Sequence, residues 1–346
     1  MNRSHNIAVY LALLALGLVA PFFAYPVFLM KALCFALFAC AFNLLVGFTG
    51  LLSFGHAAFL GMAGYATGHF IKTFALPTEL GILAGVAAGA LLGWVIGGLA
   101  IRRQGIYFSM ITLALSQMLY FFCLQAPFTG GEDGLQGVPR GTLLGMIDLR
   151  SDIAMYYFVL GVFVLGFLLI YRTIHSPFGQ VLKAIRENEP RAISLGYDTD
   201  RYKLLAFVLS AALSGLAGAT KTVVLGFETL TDVHWHMSGA VILMTLLGGM
   251  GTVIGPVVGA FIVIALENKL GDLGDWLAAV TSVEWFRAIG ESVTIVTGLI
   301  FVICVLAFRR GFVGEFAAWW ERARPGAVRS EERSGSNPQS TSRPTS

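Results

Sequence analysis

The sequence predicts an all-α polytopic membrane protein with about 10 transmembrane helices, eight to ten once its ambiguous segments are counted both ways. Three observations lead there. The 346-residue chain is 56% hydrophobic, only 12% charged, and has a mean hydropathy of +0.76. A soluble domain carries roughly 25% charged residues, so this chain lacks the polar surface to face water and must turn apolar surface to lipid. Apolar runs of near-bilayer length recur along it, and the connections between them alternate between basic and acidic.

The predicted spans are 7–25, 27–47, 52–72, 80–101, 106–125, 153–172, 203–224, 237–250, 253–268 and 289–308. The first follows Arg3 and His5, fills a bilayer and lacks a small-residue cleavage site before Pro26, so it reads as a retained helix and not a signal peptide. The second and third meet at Gly47–Gly50 with almost no polar loop. The eighth and ninth are short and split by Gly248, Gly249, Gly251, Gly255 and Pro256. Segments 27–72 and 237–268 are therefore candidates for re-entrant half-helices. Paired interrupted segments of this kind suggest an internal pseudo-repeat, although side-chain identity between the two is poor.

Orientation follows from the basic residues. Arg102 and Arg103, the cluster Arg172, Lys183, Arg186, Arg191, Arg201 and Lys203, and Arg309 and Arg310 belong inside. Loops 126–152, 226–236 and 269–288 carry Glu132, Asp133, Asp148, Asp152, Glu228, Asp232, Asp272, Asp275 and Glu284, and fit the outside. Both termini are then cytoplasmic, which requires an even number of crossings. The predicted organisation is a transmembrane domain over 1–310 with a cytoplasmic segment at 173–202, an interfacial helix at 311–324 with Trp319 and Trp320 at headgroup level, and a disordered cytoplasmic tail at 325–346.

A net charge of +3 gives no reason to expect nucleic acid. Cys34, Cys40, Cys123 and Cys304 all lie in apolar runs without CxxC spacing, so neither disulfides nor a metal site is expected. Gly215–Thr222 resembles a phosphate-binding loop, but Thr220 stands where glycine must precede the lysine and no strand leads in. Gly249-Met-Gly251 lacks the third glycine of a dinucleotide fingerprint. No catalytic residues and no cofactor bound by this chain are expected.

Gly81, Gly85, Gly89, Gly93 and Gly97 recur at every fourth position and put a smooth groove on one face of the fourth span. Such a face lets a second helix approach closely where lipid offers no hydrophobic drive. Packing within the chain is the expected use, with a subunit seam as the alternative.

Two constellations sit at the helix breaks. In the first, Asn43, Thr49, Ser53, Gly55 and His56 surround the interruption, with Ser53 predicted as the N-cap of the following helix. A helix start at membrane depth leaves free N–H groups and a positive dipole end, a seat for a carboxylate or polar solute. His56 could donate to a solute, or be a satisfied histidine in a helix–helix contact. In the second, Gly251, Thr252 and Pro256 repeat the grammar of glycine break, threonine cap and proline in the first turn. Together these eight residues are the candidate pathway set.

The third constellation is an amphipathic island between two apolar runs. Phe178, Val181, Leu182 and Ile185 share one face of a helix ending near Asn188, with Lys183, Arg186 and Glu187 opposite. Pro190 starts a second short helix that Gly196 ends. A helix lying on lipid is the plainer alternative.

These three blocks resemble the LivM-type permease of branched-chain amino acid ABC transporters, in the words GLLSFGHAAFLGMAGY, FGQVLKAIRENEPRAISLGYDTDRYKLLAFVLSAALSGLAGA and LLGGMGTVIGPVVGA, over roughly residues 27–310. The resemblance implies a multi-pass protein of the bacterial inner membrane. It implies a second permease subunit in a heterodimer, two cytoplasmic ATPases that use ATP, and a periplasmic solute-binding protein. It also implies that Phe178, Gly179, Lys183, Ala184, Ile185, Arg186, Glu187, Asn188, Pro190, Ala192, Leu195 and Gly196 couple this chain to the ATPases. Relatives resembling carriers of urea, amides and aromatic compounds leave the solute open. A proton-coupled carrier would want mid-span acids, yet Glu267 and Glu291 lie near span ends. A membrane enzyme would want a catalytic cluster, yet His69, His175, His234 and His236 are scattered.

Overall fold

A computed structural model describes residues 12–143 and 145–281, with 298, 299, 302, 311, 312, 314 and 315; side chains are described to residue 269 within the last long helix. Its helices are α1 (Ala12–Phe22), α2 (Pro26–Thr49), α3 (His56–Thr73), α4 (Thr78–Ala100), α5 (Ile106–Gln125), α6 (Asp152–His175), α7 (Pro177–Glu187), α8 (Glu189–Ser194), α9 (Thr199–Leu225), α10 (Trp235–Gly248) and α11 (Gly255–Thr281). Two small antiparallel ribbons were not anticipated. β1 (Leu135–Gln136) pairs with β4 (Phe227–Glu228), and β2 (Thr142–Leu143) with β3 (Ile147–Asp148). The first joins the two acidic connections and the second folds back within the 126–152 connection, at the far end of the bundle from α7 and α8.

Among the described residues, α2, α4, α5, α6 and α9 are each long and apolar enough to cross a membrane. The 18 residues of α3 rise about 27 Å. The 14 of α10 rise only about 21 Å, short of a hydrocarbon core of about 30 Å. The expected ninth span, 253–268, is part of a longer helix: α11 is 27 residues long and ends at Thr281, within the stretch expected to be an outside loop. The span expected at 289–308, the interfacial helix and the tail fall wholly or largely outside the described residues.

Helix α2 is the axis of the bundle. From Leu29 to Thr49 every residue except Lys31 is buried. Its sequence is apolar all round, the signature of a helix enclosed by others. Helices α6, α9, α10 and α11 pack around it. The α4 glycine face is closed within the chain. Gly81 and Gly85 lie against Ile71 and Thr67 of α3, Gly89 and Gly93 against Ala211 and Gly215 or Val208 of α9, and Gly97 against Leu204 and Phe207. Gly98, on the opposite face, has nothing within 4 Å of a built Cβ.

Candidate functional site

The first break begins where Gly50 ends α2 with φ +76°, a left-handed conformation that suits glycine. The chain then turns back into the bundle before α3 starts. Ser210 Oγ donates to Ala41 O at 2.6 Å and lies 2.9 Å from His56 Nε2, so α3 begins about two turns short of the end of α2. Backbone inside a membrane protein must be satisfied by protein or water, and α5 supplies the partners. Ser109 Oγ donates to Leu52 O at 2.6 Å, and Thr112 Oγ accepts from Phe54 N at 3.2 Å.

The expected solute seat at this helix start is filled by the protein itself. Ala57 N donates to Ser238 Oγ of α10 at 3.0 Å. Ser53 is fully buried; its Oγ accepts from Gly55 N at 3.2 Å, making a local turn. Gly55, without a side-chain cap, occupies the N-cap position expected for Ser53. Gly55 also packs on the Thr112 carbonyl, leaving no room for a Cβ. His56 is fully buried among the edges of Phe42, Phe59 and Phe207 at centroid distances of 5.1, 5.3 and 5.9 Å. The Ser210 proton goes to Ala41 O, so His56 Nε2–H is the donor to Ser210 and Nδ1 carries the bare lone pair. In this conformation His56 is a joint between α3 and α9.

The second break meets the first. Asn43 Nδ2 donates to Thr252 O at 2.8 Å, and its Oδ1 accepts from Gly251 N at 2.9 Å. Gly47, one turn on, lies so close that a Cβ would meet Gly251 N at 2.9 Å. Thr252 Oγ donates to Gly249 O at 2.7 Å and accepts from Gly255 N at 3.0 Å, closing the turn into α11. Pro256 follows in the first turn of α11. Gly248 packs against Gly255 and Gly259, so α10 and α11 touch backbone to backbone. Thr49, by contrast, only returns its hydroxyl to Leu45 O.

The amphipathic island forms α7 and α8, each opened by a side-chain cap. Ser176 Oγ accepts from Gly179 N at 3.3 Å and Asn188 Oδ1 from Arg191 N at 3.1 Å. Pro190 falls in the first turn of α8, and Gly196 ends the turn with φ +89°. Glu189 ties α8 to α9 through an ion pair with Lys203 and a hydrogen bond from Thr199 Oγ at 3.3 Å.

The apolar face of α7 turns inward. Leu182 and Ile185 are buried, Ala192 of α8 is buried, and Gly179 sits on the carbonyls of Thr173 and Ile174. Phe178 stacks on Tyr202 at 5.5 Å, and Lys183 Nζ lies 5.8 Å from the Phe48 ring centroid. Arg186 Nη1 donates to Gly47 O. The exposed apolar side chains are Ile193, Leu195 and Tyr197; Ala184 and Glu187 are exposed beside them. Ile185, a predicted docking residue, therefore supports the bundle. Periodicity shows which residues share a face but not what covers it.

The sequence reading passed over a buried charged cluster. Lys221 Nζ lies 2.6 Å from Asp232 Oδ1 and 3.3 Å from the Glu228 carboxylate, and Thr222 Oγ donates to Glu228 at 2.6 Å. Glu228 is fully buried and presses on Gly64, where no Cβ would fit. Burial pushes the Glu228 carboxyl above the ordinary carboxylate range, and the Lys221 ammonium opposes that shift. The signal was present: a lysine inside an apolar helix, with acids 7 and 11 residues later.

Residues 26–305 match the family described as "Branched-chain amino acid transport system / permease component". The chain is 28% identical over 261 residues to the high-affinity branched-chain amino acid transport system permease protein LivM of Salmonella typhimurium, covering 68% of this chain and 60% of that protein. It is 29% identical over 198 residues to the autoinducer 2 import system permease protein LsrC of Salmonella choleraesuis, covering 55% and 52%. A solved chain of PsaBC from Streptococcus pneumoniae in complex with Fab aligns at 17% identity and a TM-score of 0.39, covering 80% of this chain and 89% of that one. The chain thus spans about 60% of the length of the first of these curated relatives. Its apolar helices and permease relatives make it a multi-pass protein of the bacterial inner membrane. With 280 of its residues inside the matched range, the chain belongs to the branched-chain amino acid transport system permease family.

Proposed function

We propose that this chain is the permease subunit of an ABC importer that moves branched-chain or related amino acids inward, driven by ATP hydrolysis on partner subunits. One observation carries the reading. On α8 and the turn after it, Ile193, Leu195 and Tyr197 stand exposed on a short helix held rigid by the Asn188 cap and the Glu189–Lys203 pair. Apolar side chains fixed on a basic connection suit a cleft in a soluble partner better than water. The partners are two cytoplasmic ATPases, a second permease subunit and a periplasmic binding protein.

In this reading both termini are cytoplasmic and the chain makes about ten crossings in two interrupted halves. In this reading ATP is hydrolysed on the partner subunits and not on this chain; in support, Thr220 and Lys221 of the phosphate-loop look-alike lie inside α9. The solute route passes the second break, where Thr252 is only half-buried. Carriage of urea, amides or aromatic compounds is the second reading within the same class. A proton-coupled carrier is a more distant alternative. Lys221, Glu228 and Asp232 are the ionisable groups it would use, but they are paired with one another at the end of α9.

Co-expression with the two ATPases, the second permease and the binding protein tests the reading. An ATPase should co-purify, and proteoliposomes should take up labelled leucine only with internal ATP. Failure of any ATPase to bind overturns it. Uptake of urea in place of leucine would move it to the second solute class.

A further inference from the structure

We propose that Arg186 is a positioning residue that transmits movement of α7 to both glycine breaks, and not a contact with the ATPase; this rests on the importer reading above. Arg186 stands in the last turn of α7. Its Nη1 donates to Gly47 O, one of the carbonyls at the end of α2 without a helical partner. A cation there also meets the negative end of the helix dipole. The Arg186 stem lies along Gly50, where a Cβ would stand 3.2 Å from its Cγ. Its Nη1 is 3.5 Å from the Cβ position of Gly251. One arginine side chain therefore lies against the end of α2, the first residue of the first break and the turn of the second, the stem at Gly50 and the guanidinium at Gly47 O and Gly251.

The contact continues inward. Gly47 and Asn43 are four residues apart and share a face of α2. Asn43 grips the Gly251–Thr252 turn with both ends of its amide. Displacing α7 by even an ångström must pull on the Gly47 carbonyl or release it, and either event reaches Gly251 through groups already in contact. The glycines make this possible, because larger residues at 47, 50 or 251 would hold the segments apart. Lysine cannot substitute: it places one compact charge where arginine presents a planar fork between Gly47 O and the Gly251 turn.

The test uses the full transporter with its ATPases, in a background free of the native cysteines, carrying Thr252→Cys. Reactivity with a small maleimide is measured with and without a trapped ATP analogue. It needs no knowledge of the solute. With Arg186 in place the nucleotide should change the labelling rate about tenfold. Arg186→Gln and Arg186→Lys should reduce that change to less than about twofold while the ATPases co-purify at wild-type stoichiometry. Asn43→Ala cuts the same path at its inner link, away from α7, and should do likewise; it serves if the arginine variants misfold. Three results overturn the proposal: a nucleotide-insensitive rate with Arg186 present, an undiminished change in the variants, or loss of ATPase from Arg186→Lys, which would make Arg186 a docking contact. If the parent binds no ATPase, the importer reading fails first.

Discussion

Asn43 on α2 and Thr252 at the start of α11 are 209 residues apart in sequence, yet the Asn43 amide donates to the Thr252 carbonyl at 2.8 Å. The other end of the same amide accepts from Gly251 N. Removing it leaves a part-buried N–H and C=O without partners. Asn43→Ala should destabilise the purified protein by about 2–4 kcal/mol, seen as a lower midpoint in thermal unfolding in detergent. Asn43→Asp should fare no better, because a carboxylate would face the Thr252 carbonyl. Wild-type midpoints in both variants would count against the bridge.

The α4 stripe gives an internally controlled prediction. Gly89→Leu pushes against Ala211 O and Gly215 Cα, which already lie at 3.0 and 3.2 Å from a built Cβ. It should abolish monodisperse protein in size-exclusion chromatography. Gly98→Leu, nine residues further along α4 and facing open space, should behave as wild type.

Ile185 and Leu195 should fail in different ways. Ile185 is 3% exposed and Leu195 is 69% exposed. Ile185→Asp buries a carboxylate under α7 and should lower folded yield. Leu195→Asp should leave yield unchanged while cutting ATPase co-purification at least about tenfold, in line with an interface hot spot. Equal yields and equal ATPase capture for both would remove α7–α8 as the docking element.

Among the described residues, Lys221 is the single cation paired with Glu228 and Asp232. Lys221→Met should cost about 3–5 kcal/mol by stranding Glu228 and Asp232. Adding Glu228→Gln should recover part of the loss, because the amide still accepts from Thr222 without needing a counter-charge. A double-mutant cycle on unfolding midpoints reads the coupling; strictly additive losses would show that the ammonium does not stabilise Glu228.

Thiol chemistry separates the two breaks. Thr252→Cys, half-buried, should label with an aqueous maleimide in the resting state. Ser53→Cys, fully buried, should not. A rise in Ser53→Cys reactivity on trapping nucleotide would place the first break on the route after all.

The sequence by itself determined the membrane class, the long helices and the local punctuation. Those properties come from composition and from contacts within four residues. Pro190 starts α8, Gly196 leaves it left-handed, and Thr252 closes the turn into α11, because each needs only its neighbours. The amphipathic period of α7 was equally legible. Only the tertiary structure decided what covers that face, so Ile185 moved from the docking surface to the interior and Leu195 remained outside. Only it decided that the first helix start is filled by Ser238, that His56 is walled by three phenylalanines, and that Lys221 finds acids beyond the end of its own helix. These pairings depend on which helices pack against each other, and in a chain this uniformly apolar the hydrophobic pattern does not choose between neighbours. Close approach at glycines and the need to satisfy every buried polar group make that choice, and both appear only once the helices are in place.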